Sequence, residues 1–255
     1  MRNPLRSLSA RLRGRIRFRQ LRATPVIVGG CERSGTSLLL SILSAHPSIH
    51  AIPRETQAFS YGEPGDAPGG TPIRIQRLYR LLGEGPLTPT AQRWAEKTPA
   101  NVYYFRDILE HFDGDVRLIH IVRDGRDVVT SEHPSRPGEF WMKPRRWIDS
   151  VSAGLALEGD PRLLTIRYED LVGDFEATAQ AICDHLEEPF PDCMRNWWEH
   201  ARVRRSRHVH SGKIAPIFDS SVRKFEQPDF PFRKRVDEFL AEAGARDIME
   251  RFGYI

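Results

Sequence analysis

Residues 26–40 read VIVGGCERSGTSLLL, and this stretch decides the fold of the chain. A short apolar run with β-branched residues leads into a glycine-containing turn, which opens directly into a run with helical character. That order of strand, turn and helix is typical of a loop that holds an anion, because backbone N–H groups and the positive end of the helix point at one place. We therefore expect a phosphate-type ligand at this turn.

The spacing of the turn nearly matches the loop that binds nucleoside triphosphates. Gly30 is followed by four residues, then by Gly35, then by two positions that such a loop fills with lysine and with serine or threonine. The second position is Ser37 as required, but the first is Thr36. Because that lysine contacts the β- and γ-phosphates, its absence argues against hydrolysis of ATP or GTP. The loop is better suited to a nucleotide with a shorter charged tail.

The pattern of apolar runs predicts an open α/β sheet. Buried parallel strands are expected at 26–28, 116–122 and 163–166. Helices are expected at 36–44, 100–111, 127–132, 145–157, 171–186 and 232–251, and loops at 62–72, 83–89 and 133–144. Alternating strands and helices predict a single-domain, three-layer α/β fold with a central parallel sheet flanked by helices. Ligands bind at the carboxyl ends of such strands, so turns 30–36 and 123–127 should face one crevice.

Bulk composition is that of an ordinary globular chain. It has 255 residues, of which 28% are charged, enough for one sizeable core. No apolar run approaches the roughly 20 residues of a membrane span, and the N-terminus lacks the apolar segment of a secretory signal. Three cysteines do not form a disulfide framework. This usage favours a reducing, cytoplasmic location.

Positive charge is concentrated at the N-terminus. Residues 1–22 contain eight arginines and no acid, so a formal net charge of +4 leaves −4 on the remainder. We predict a basic, flexible N-terminal arm at 1–24, ahead of a functional domain at 25–255. Apolar residues recur in the arm at helical spacing, which offers an amphipathic helix on an anionic membrane surface as an alternative; they are Leu5, Leu8, Leu12 and Ile16. We expect no nucleic-acid partner, because the basic stretch near 202–207 has no interleaved aromatic residues for base stacking.

Two segments resemble the sulfotransferases that use 3′-phosphoadenosine 5′-phosphosulfate (PAPS). The sequence RSGTSL at 33–38, followed by AHP at 45–47, is similar to their 5′-phosphosulfate loop. The sequence LIHIVRDGRDVVTS at 118–131 resembles their 3′-phosphate site. Weaker matches, EKTP at 96–99 and YEDL at 168–171, extend the resemblance over roughly residues 25–255. The pattern is closest to the tyrosylprotein and heparan-type branch, and it implies a P-loop-like fold.

The resemblance implies the cofactor contacts residue by residue. Contacts to the 5′-phosphosulfate fall on Arg33, Ser34, Gly35, Thr36 and Ser37. Capping of the following helix is an alternative role for the two hydroxyl residues Thr36 and Ser37.

The remaining implied contacts concern the far end of the nucleotide. Arg123 and Ser131 match the pair that holds the 3′-phosphate, where arginine presents a planar fork to the anion. Tyr168 is implied near the adenine or ribose, with core packing as the alternative. Ser221 and Lys224 match a late serine-plus-basic element of the family. That match is incomplete, because position 223 is arginine where glycine is common and position 225 is phenylalanine where tryptophan is usual.

Sulfuryl transfer leaves negative charge on the departing phosphate, so the protein is expected to position the reactants and stabilise that charge. Arg33 and Lys97 are implied for this role, with Ser221 as a third candidate. Glu55 follows the first βα unit, where the same branch has a catalytic glutamate. A free glutamate is a weak base, so burial near the acceptor would have to raise its pKa. His120 lies in the middle of a predicted strand and is expected in the core.

The leading hypothesis is in-line transfer of a sulfuryl group from PAPS to a hydroxyl of a carbohydrate, a peptide tyrosine or a metabolite, with Glu55 as the base and no metal. A divergent P-loop kinase using ATP is the alternative. It predicts a lysine at the position of Thr36 and a magnesium-binding acid after a strand, and Asp124 alone could mimic that acid. A third hypothesis is a membrane- or nucleic-acid-binding protein on a degenerate nucleotide fold. Loss of Arg33 or Arg123 would favour it, and both are present.

Overall fold

The computed structural model describes residues 4–59, 73–133, 135–203 and 222–255. Within them, five parallel strands form one sheet in the order β2-β3-β1-β4-β7, and β5 and β6 form an antiparallel ribbon. The strands are β1 (Val26–Gly30), β2 (Ile49–Ala51), β3 (Arg93–Lys97), β4 (Arg117–Val122), β5 (Glu132–His133), β6 (Arg136–Phe140) and β7 (Leu163–Arg167).

Helices connect and cover the strands. They are α1 (Pro4–Gln20), α2 (Thr36–Leu43), α3 (Ile75–Leu82), α4 (Phe105–His111), α5 (Gly125–Val129), α6 (Pro144–Leu155), α7 (Tyr168–Gly173), α8 (Phe175–His185), α9 (Trp197–His200), α10 (Arg233–Ala241) and α11 (Ala245–Arg251). Short 3₁₀ turns occupy Pro99–Tyr104, Asp192–Met194 and Lys224–Glu226. None of the helices in the described part of the chain combines the length and the apolarity needed to cross a bilayer.

The sheet is covered on both faces. Val28 of β1 packs with Leu39 of α2 in one buried cluster, whereas the adjacent Ile27 packs with Trp94 and Phe105 in a second cluster. All five residues of β1 are buried, as expected for a central parallel strand. The predicted single-domain, three-layer α/β fold is confirmed.

The strand register brings the candidate segments to one edge of the sheet. Val28 of β1 is paired with Lys97 of β3, and Val122 of β4 is paired with Arg167 of β7. The strands run in parallel, so the segments that follow them leave the sheet at the same end. The loop at 31–35 and the turn after β4 therefore lie at a shared edge, as the sequence predicted.

Two strands of the sheet were not predicted. β2 has only three residues, and β3 reads RWAEK, which has three charged residues and no apolar run. Every residue of β3 is nevertheless buried. Burial is possible because the charges have partners: Arg93 lies 2.8 Å from Glu188, and Lys97 lies 2.6 Å from Glu55.

The prediction was wrong for the segment after β4. The helix expected at 127–132 is α5, which begins two residues earlier and ends at Val129. The loop expected at 133–144 contains most of the β5–β6 hairpin. Pro137 and Gly138 argued against a strand, but both strands of a two-stranded ribbon are edges, where proline is tolerated.

Two long predicted helices are each divided in two. In 171–186 the break falls after Gly173, where the Asp174 carboxylate accepts a hydrogen bond from the amide of Ala177 at 3.4 Å and caps α8. In 232–251 the break falls at Gly244, which has a φ of 85°. The loop predicted at 62–72 lies outside the described residues.

Residues 4–20 of the predicted N-terminal arm form α1, which packs against α3. A Cβ atom on Gly14 would lie 1.6 Å from the carbonyl oxygen of Tyr79, so the two helices approach to backbone contact. Arg17 Nη1 donates a hydrogen bond to the carbonyl of Leu82 at 2.8 Å. The division between arm and domain at residue 24 stays a prediction.

Candidate active site

The loop between β1 and α2 has the backbone of an anion site. Arg33 and Gly35 have φ angles of 71° and 97°, in the left-handed region. Ser34 lies between them, fully buried, and its Oγ has no hydrogen-bond partner among the described residues. The N-cap of α2 is Gly35, which has no side chain with which to cap the first amides of the helix. An anion at this point would satisfy both the amides and the hydroxyl.

Gly35 is required by the approach of an aromatic ring. A Cβ at this position would lie 2.5 Å from Cδ2 of Tyr168, the first residue of α7. The guanidinium of Arg123 lies over the same ring, 4.5 Å from its centroid. Three residues predicted to contact the cofactor, which follow three different strands, are therefore brought together around one ring.

Arg123 is fixed in place by further contacts. Its Nη1 donates a hydrogen bond to the carbonyl of Arg33 at 3.0 Å, which ties it to the anion loop. Its Nη2 lies 3.7 Å from a carboxylate oxygen of Asp127, and its carbonyl accepts a bond from the indole N–H of Trp147 at 3.0 Å. The guanidinium is almost entirely buried. A buried cation beside the loop favours binding of a second anionic group.

The side chain of Asp124 stabilises the turn after β4. Its carboxylate caps α5 by accepting the amide of Arg126 at 2.9 Å, and both its oxygens accept bonds from the guanidinium of Arg126. Ser131 lies beyond the end of α5 and not within it, because the helix is shorter than predicted. Its hydroxyl donates to the carbonyl of Asp127 at 2.9 Å.

The late basic element is anchored to the same turn. The amides of Arg223 and Lys224 donate to the two carboxylate oxygens of Asp127, at 2.8 and 3.1 Å. Burial raises the pKa of Asp127, although Arg123 and these two amides oppose that effect. The backbone of the element is thus held next to Arg123, while the side chain of Lys224 is exposed. Ser221, the other predicted residue of this element, lies outside the described residues.

On the other side of β1, two of the side chains expected to take part in catalysis form an ion pair. Lys97 Nζ donates a hydrogen bond to Glu55 Oε1 at 2.6 Å. The lysine side chain is 8% exposed and the glutamate side chain is 42% exposed. The side chain of Glu55 is therefore partly exposed, and it is less buried than a glutamate base was expected to be.

Sequence reasoning missed Glu96, which is fully buried between the segments that carry this ion pair. Its Oε2 accepts hydrogen bonds from the hydroxyls of Thr56, at 2.8 Å, and Thr98, at 3.2 Å, and its Oε1 accepts one from the side-chain amide of Asn101. Burial raises the pKa of Glu96 to about 7, although the hydrogen bonds and Lys97 oppose this. Glu96 lies within the quoted EKTP sequence, but no pattern distinguished its carboxylate from an exposed one.

The hairpin that was predicted as a loop lies beside Arg33. The guanidinium of Arg33 is 5.9 Å from the ring centroid of Trp141, and this ring stacks on His133 at 4.4 Å. Trp141 follows β6 directly, so the hairpin contributes an exposed aromatic surface next to the anion loop. A tryptophan in a proline-rich stretch was the available sequence signal.

His120 belongs to the core, as expected. It is fully buried on β4, its ring centroid lies 6.5 Å from that of Phe105, and a Cβ on Gly154 would collide with it. Burial lowers its pKa to about 4, and neither ring nitrogen has a hydrogen-bond partner among the described residues. It is not placed to act as a base.

Solved structures with the same fold are sulfotransferases. The sulfotransferase domain from the curacin biosynthetic pathway is 17% identical with a TM-score of 0.57, over 91% of this chain and 98% of that one. The sulfotransferase domain from the Synechococcus PCC 7002 olefin synthase is 21% identical with a TM-score of 0.55, over 86% and 96%. Mouse sulfotransferase SULT7A1, complexed with PAP, is 16% identical with a TM-score of 0.54, over 91% and 88%.

Sequence comparison gives the family. No curated protein sequence matches this chain significantly. The family model described as "Sulfotransferase family" matches residues 25–77 and 72–192, which is well over half of the chain and includes the anion loop, Arg123 and Tyr168. The chain therefore belongs to the sulfotransferase family.

Proposed function

We propose that this protein transfers a sulfuryl group from PAPS to a hydroxyl acceptor. The observation that carries the proposal is the convergence of the anion loop, the buried guanidinium of Arg123 and the ring of Tyr168. This arrangement offers two anion sites with an aromatic ring beside both. PAPS has two anionic groups of this kind, one on each side of a ribose.

The residues present fit this nucleotide. The unpartnered hydroxyl of Ser34 and the uncapped amides of α2 would hold the 5′-phosphosulfate, together with Thr36 and Ser37. Arg123 and Ser131 would hold the 3′-phosphate, and Tyr168 would contact the adenine or ribose. When bound, PAPS supplies an activated sulfuryl group. Mouse SULT7A1, which shares the fold, is complexed with PAP.

Two further residues complete the proposed cofactor site. Lys224 is held near Arg123 by the bond from its amide to Asp127, and its exposed side chain is proposed to contact the nucleotide. Ser221, three positions earlier, is proposed to contact the same nucleotide.

The catalytic roles follow from charge. Glu55 would accept the proton of the acceptor hydroxyl as that oxygen bonds to sulfur. Lys97 and Arg33 would stabilise the negative charge that appears on the departing phosphate oxygen as its bond to sulfur breaks. No metal is assigned to this transfer, because these two cations supply the compensating charge.

Because Glu55 and Lys97 form an ion pair, the proposed mechanism includes a conformational step. Lys97 occupies one oxygen of the Glu55 carboxylate, so an acceptor hydroxyl that approaches this oxygen has to compete with the ammonium. We infer that the acceptor hydroxyl displaces Lys97 from Glu55, and that the freed ammonium turns to the transferring group. The exposed position of Glu55 allows this exchange, whereas the buried stem of Lys97 keeps the ammonium close.

The kinase alternative is less well supported by the same residues. Thr36 stands where the loop of a kinase has lysine. Asp124, the candidate magnesium ligand, has both carboxylate oxygens bonded to Arg126. A magnesium ion would have to compete with a bidentate ion pair for this carboxylate.

The acceptor is proposed by class. A glutamate base favours a carbohydrate or a peptide tyrosine over a metabolite within the family pattern. All three cysteines are free thiols, which suits a reducing compartment, so we propose a cytoplasmic location.

The cofactor proposal is tested by thermal unfolding with adenosine 3′,5′-bisphosphate, set against ATP with magnesium. A ligand at about 100 times its Kd adds roughly 2.7 kcal/mol, which raises the Tm of a domain of this size by roughly 5–10 °C. We expect this rise with the bisphosphate alone. Stabilisation only by ATP with magnesium would support the kinase instead, and no shift with either ligand would overturn both.

Arg123→Ala should abolish the shift caused by the bisphosphate. The shift is measured against the variant's own Tm without ligand, because this substitution also removes contacts to Arg33 and Tyr168. Arg106→Ala is the matched control, since Arg106 is an exposed arginine on α4. It should keep the full shift.

A further inference from the structure

Helix α1 has two faces that differ in chemistry. The inner face is formed by small residues that allow close approach to α3: a Cβ on Gly14 would meet the carbonyl of Tyr79, and a Cβ on Gly83 would lie 1.8 Å from the carbonyl of Ala10. Phe18, on the same side, packs against Tyr79 with ring centroids 5.3 Å apart. These contacts fix the orientation of α1 and thereby decide which side chains face outward.

The outer face carries a row of large apolar side chains. Leu8, Leu12 and Ile16 are 65%, 63% and 50% exposed, and they are three of the five large apolar residues that are exposed in the described part of the chain. They are spaced four residues apart, so they form one stripe along the helix. The side chain of Leu5, three residues before Leu8, lies outside the described residues.

A second stripe, of arginines, borders the first. Arg11, Arg15 and Arg19 are also four residues apart, and all three are exposed. No ion pair among the described residues involves an arginine of α1, and the helix itself contains no acidic residue. An exposed apolar stripe beside an uncompensated basic stripe is the pattern of a helix that lies in the interface of a membrane.

We propose that the outer face of α1 binds the surface of an anionic lipid bilayer. Leu8, Leu12 and Ile16 would enter the boundary between head groups and acyl chains, while the arginine stripe would contact lipid phosphates. The helix axis would lie parallel to the membrane, and the sheet would remain in water. The protein would thereby be held at the membrane without a spanning segment.

The same residues fit other occupants less well. A second copy of the chain would bring a second set of arginines against the first, and three apolar side chains provide far less than the roughly 800 Å² per partner of a standard interface. A single-stranded nucleic acid would need exposed aromatic rings for stacking, whereas the aromatic residue of α1, Phe18, packs on Tyr79. The basic stripe and the apolar stripe of α1 together fit a lipid surface better than they fit a second copy of the chain or a nucleic acid.

The test is flotation of the full chain with vesicles of phosphatidylcholine alone and of phosphatidylcholine mixed with phosphatidylglycerol. We expect binding to the mixed vesicles and little binding to the neutral ones. Because each arginine near an anionic surface strengthens binding about fivefold, the variant R11Q/R15Q/R19Q should bind on the order of 100-fold more weakly. The variant L8S/L12S/I16S keeps every charge, and it should lose binding at least about tenfold because less apolar area is buried.

The matched control is R106Q/K234Q/R246Q, which removes three exposed cations from other faces and changes net charge equally. It should bind like the wild type. Equal loss in this control would mean attraction by net charge only and would overturn the proposal. So would equal binding to both vesicle types, no binding to either, or a dimer in light scattering that L8S/L12S/I16S converts to monomer. Folding of each variant is checked by its Tm, and none of the altered residues belongs to the proposed catalytic site.

Discussion

The two halves of the crevice are built in different ways. On the cofactor side, the positions of Arg33, Gly35 and Arg123 are set by left-handed backbone, by the ring of Tyr168 and by a hydrogen bond to a main-chain carbonyl. On the side proposed for the acceptor, Glu55 and Lys97 are held by each other, and the segments that carry them are joined by side-chain hydrogen bonds to the buried carboxylate of Glu96.

This difference implies that one side holds its ligand rigidly, whereas the other side can change conformation. Main-chain constraints leave a ligand site few alternative conformations, which suits a site that binds the same nucleotide in every turnover. Opening the ion pair of Glu55 and Lys97 frees a partly exposed carboxylate but leaves the ammonium of a lysine that is only 8% exposed, so the pair opens where that ammonium gains a new partner. We infer that the cofactor side is preorganised and that the acceptor side rearranges when the acceptor binds.

The largest effect should come from Glu55→Gln. Removal of a general base lowers kcat by roughly 10²- to 10⁴-fold, whereas the Tm shift caused by the bisphosphate should be unchanged. The measurement is release of the bisphosphate from PAPS with a panel of phenols, tyrosine peptides and sugars as acceptors. Glu110→Gln, an exposed glutamate on α4, is the control. A kcat within twofold of the wild type would exclude Glu55 as the base and remove the functional contrast between the two sides.

Gly35→Ala tests the rigid side. The new Cβ would lie 2.5 Å from the ring of Tyr168 in a left-handed conformation, so both strain and displacement of the ring are expected. We expect a loss of about 2–4 kcal/mol in the free energy of unfolding and weaker bisphosphate binding.

Gly85→Ala separates these two causes. Gly85 also has a left-handed φ, 67°, but its Cβ would meet no atom within 4 Å. It should lose only about 1 kcal/mol and bind the bisphosphate normally. Urea unfolding measures both losses. Equal losses in the free energy of unfolding for the two variants would show that the contact with Tyr168 does not contribute to the effect.

Glu96 should make stability depend on pH. Its folded pKa, about 7, is above its ordinary value of 4.5 because the carboxyl is buried. Between these values the native state binds a proton that the unfolded state does not, so the free energy of unfolding falls as pH rises from about 4.5 to above 7, by about 3 kcal/mol. Glu96→Gln should remove this slope.

The measurement is urea unfolding of wild type and variant at several pH values between 5 and 8. His50 and His120 have pKa values lowered to about 4 by burial, so they weaken the fold as pH falls below 6.5. Both proteins share that effect, and the difference between them isolates Glu96. A pH-independent difference would mean that Glu96 is ionised throughout, and that the acceptor side is held by a charge.

The sequence predicted the geometry of the β1–α2 loop and of Arg123 better, because the constraints there are local. Gly35 and Thr36 lie within one turn. Only a few residues along the chain separate each strand from the residue that is expected to bind an anion. The sequence thus predicted that Arg123 and the loop face one edge. It did not predict the contact between the guanidinium and Tyr168, which the structure shows.

The acceptor side depends on contacts between segments that lie far apart in the chain. β3 reads as a polar loop until Arg93, Glu96 and Lys97 are paired with residues from other segments. The β5–β6 hairpin was missed for a related reason, since its proline and glycine are tolerated only because the ribbon has two free edges. Contacts between segments that are distant in the chain leave no periodic pattern in a single sequence, so the sequence did not predict them.

The smallest expected effect concerns the one family position on the cofactor side where the sequence departs from glycine. Arg223 has a left-handed φ of 53°, and its amide is fixed by Asp127, so the backbone here has the conformation that glycine adopts without strain. Arg223→Gly should raise the free energy of unfolding by about 0.5 kcal/mol, since relief of strain slightly exceeds the added entropy of the unfolded chain. Lys224→Gly, at the next position inside a 3₁₀ turn, should lower it instead. The urea midpoints of the two variants decide this. Destabilisation by Arg223→Gly would mean that the arginine side chain, and not the backbone, holds the late basic element in place.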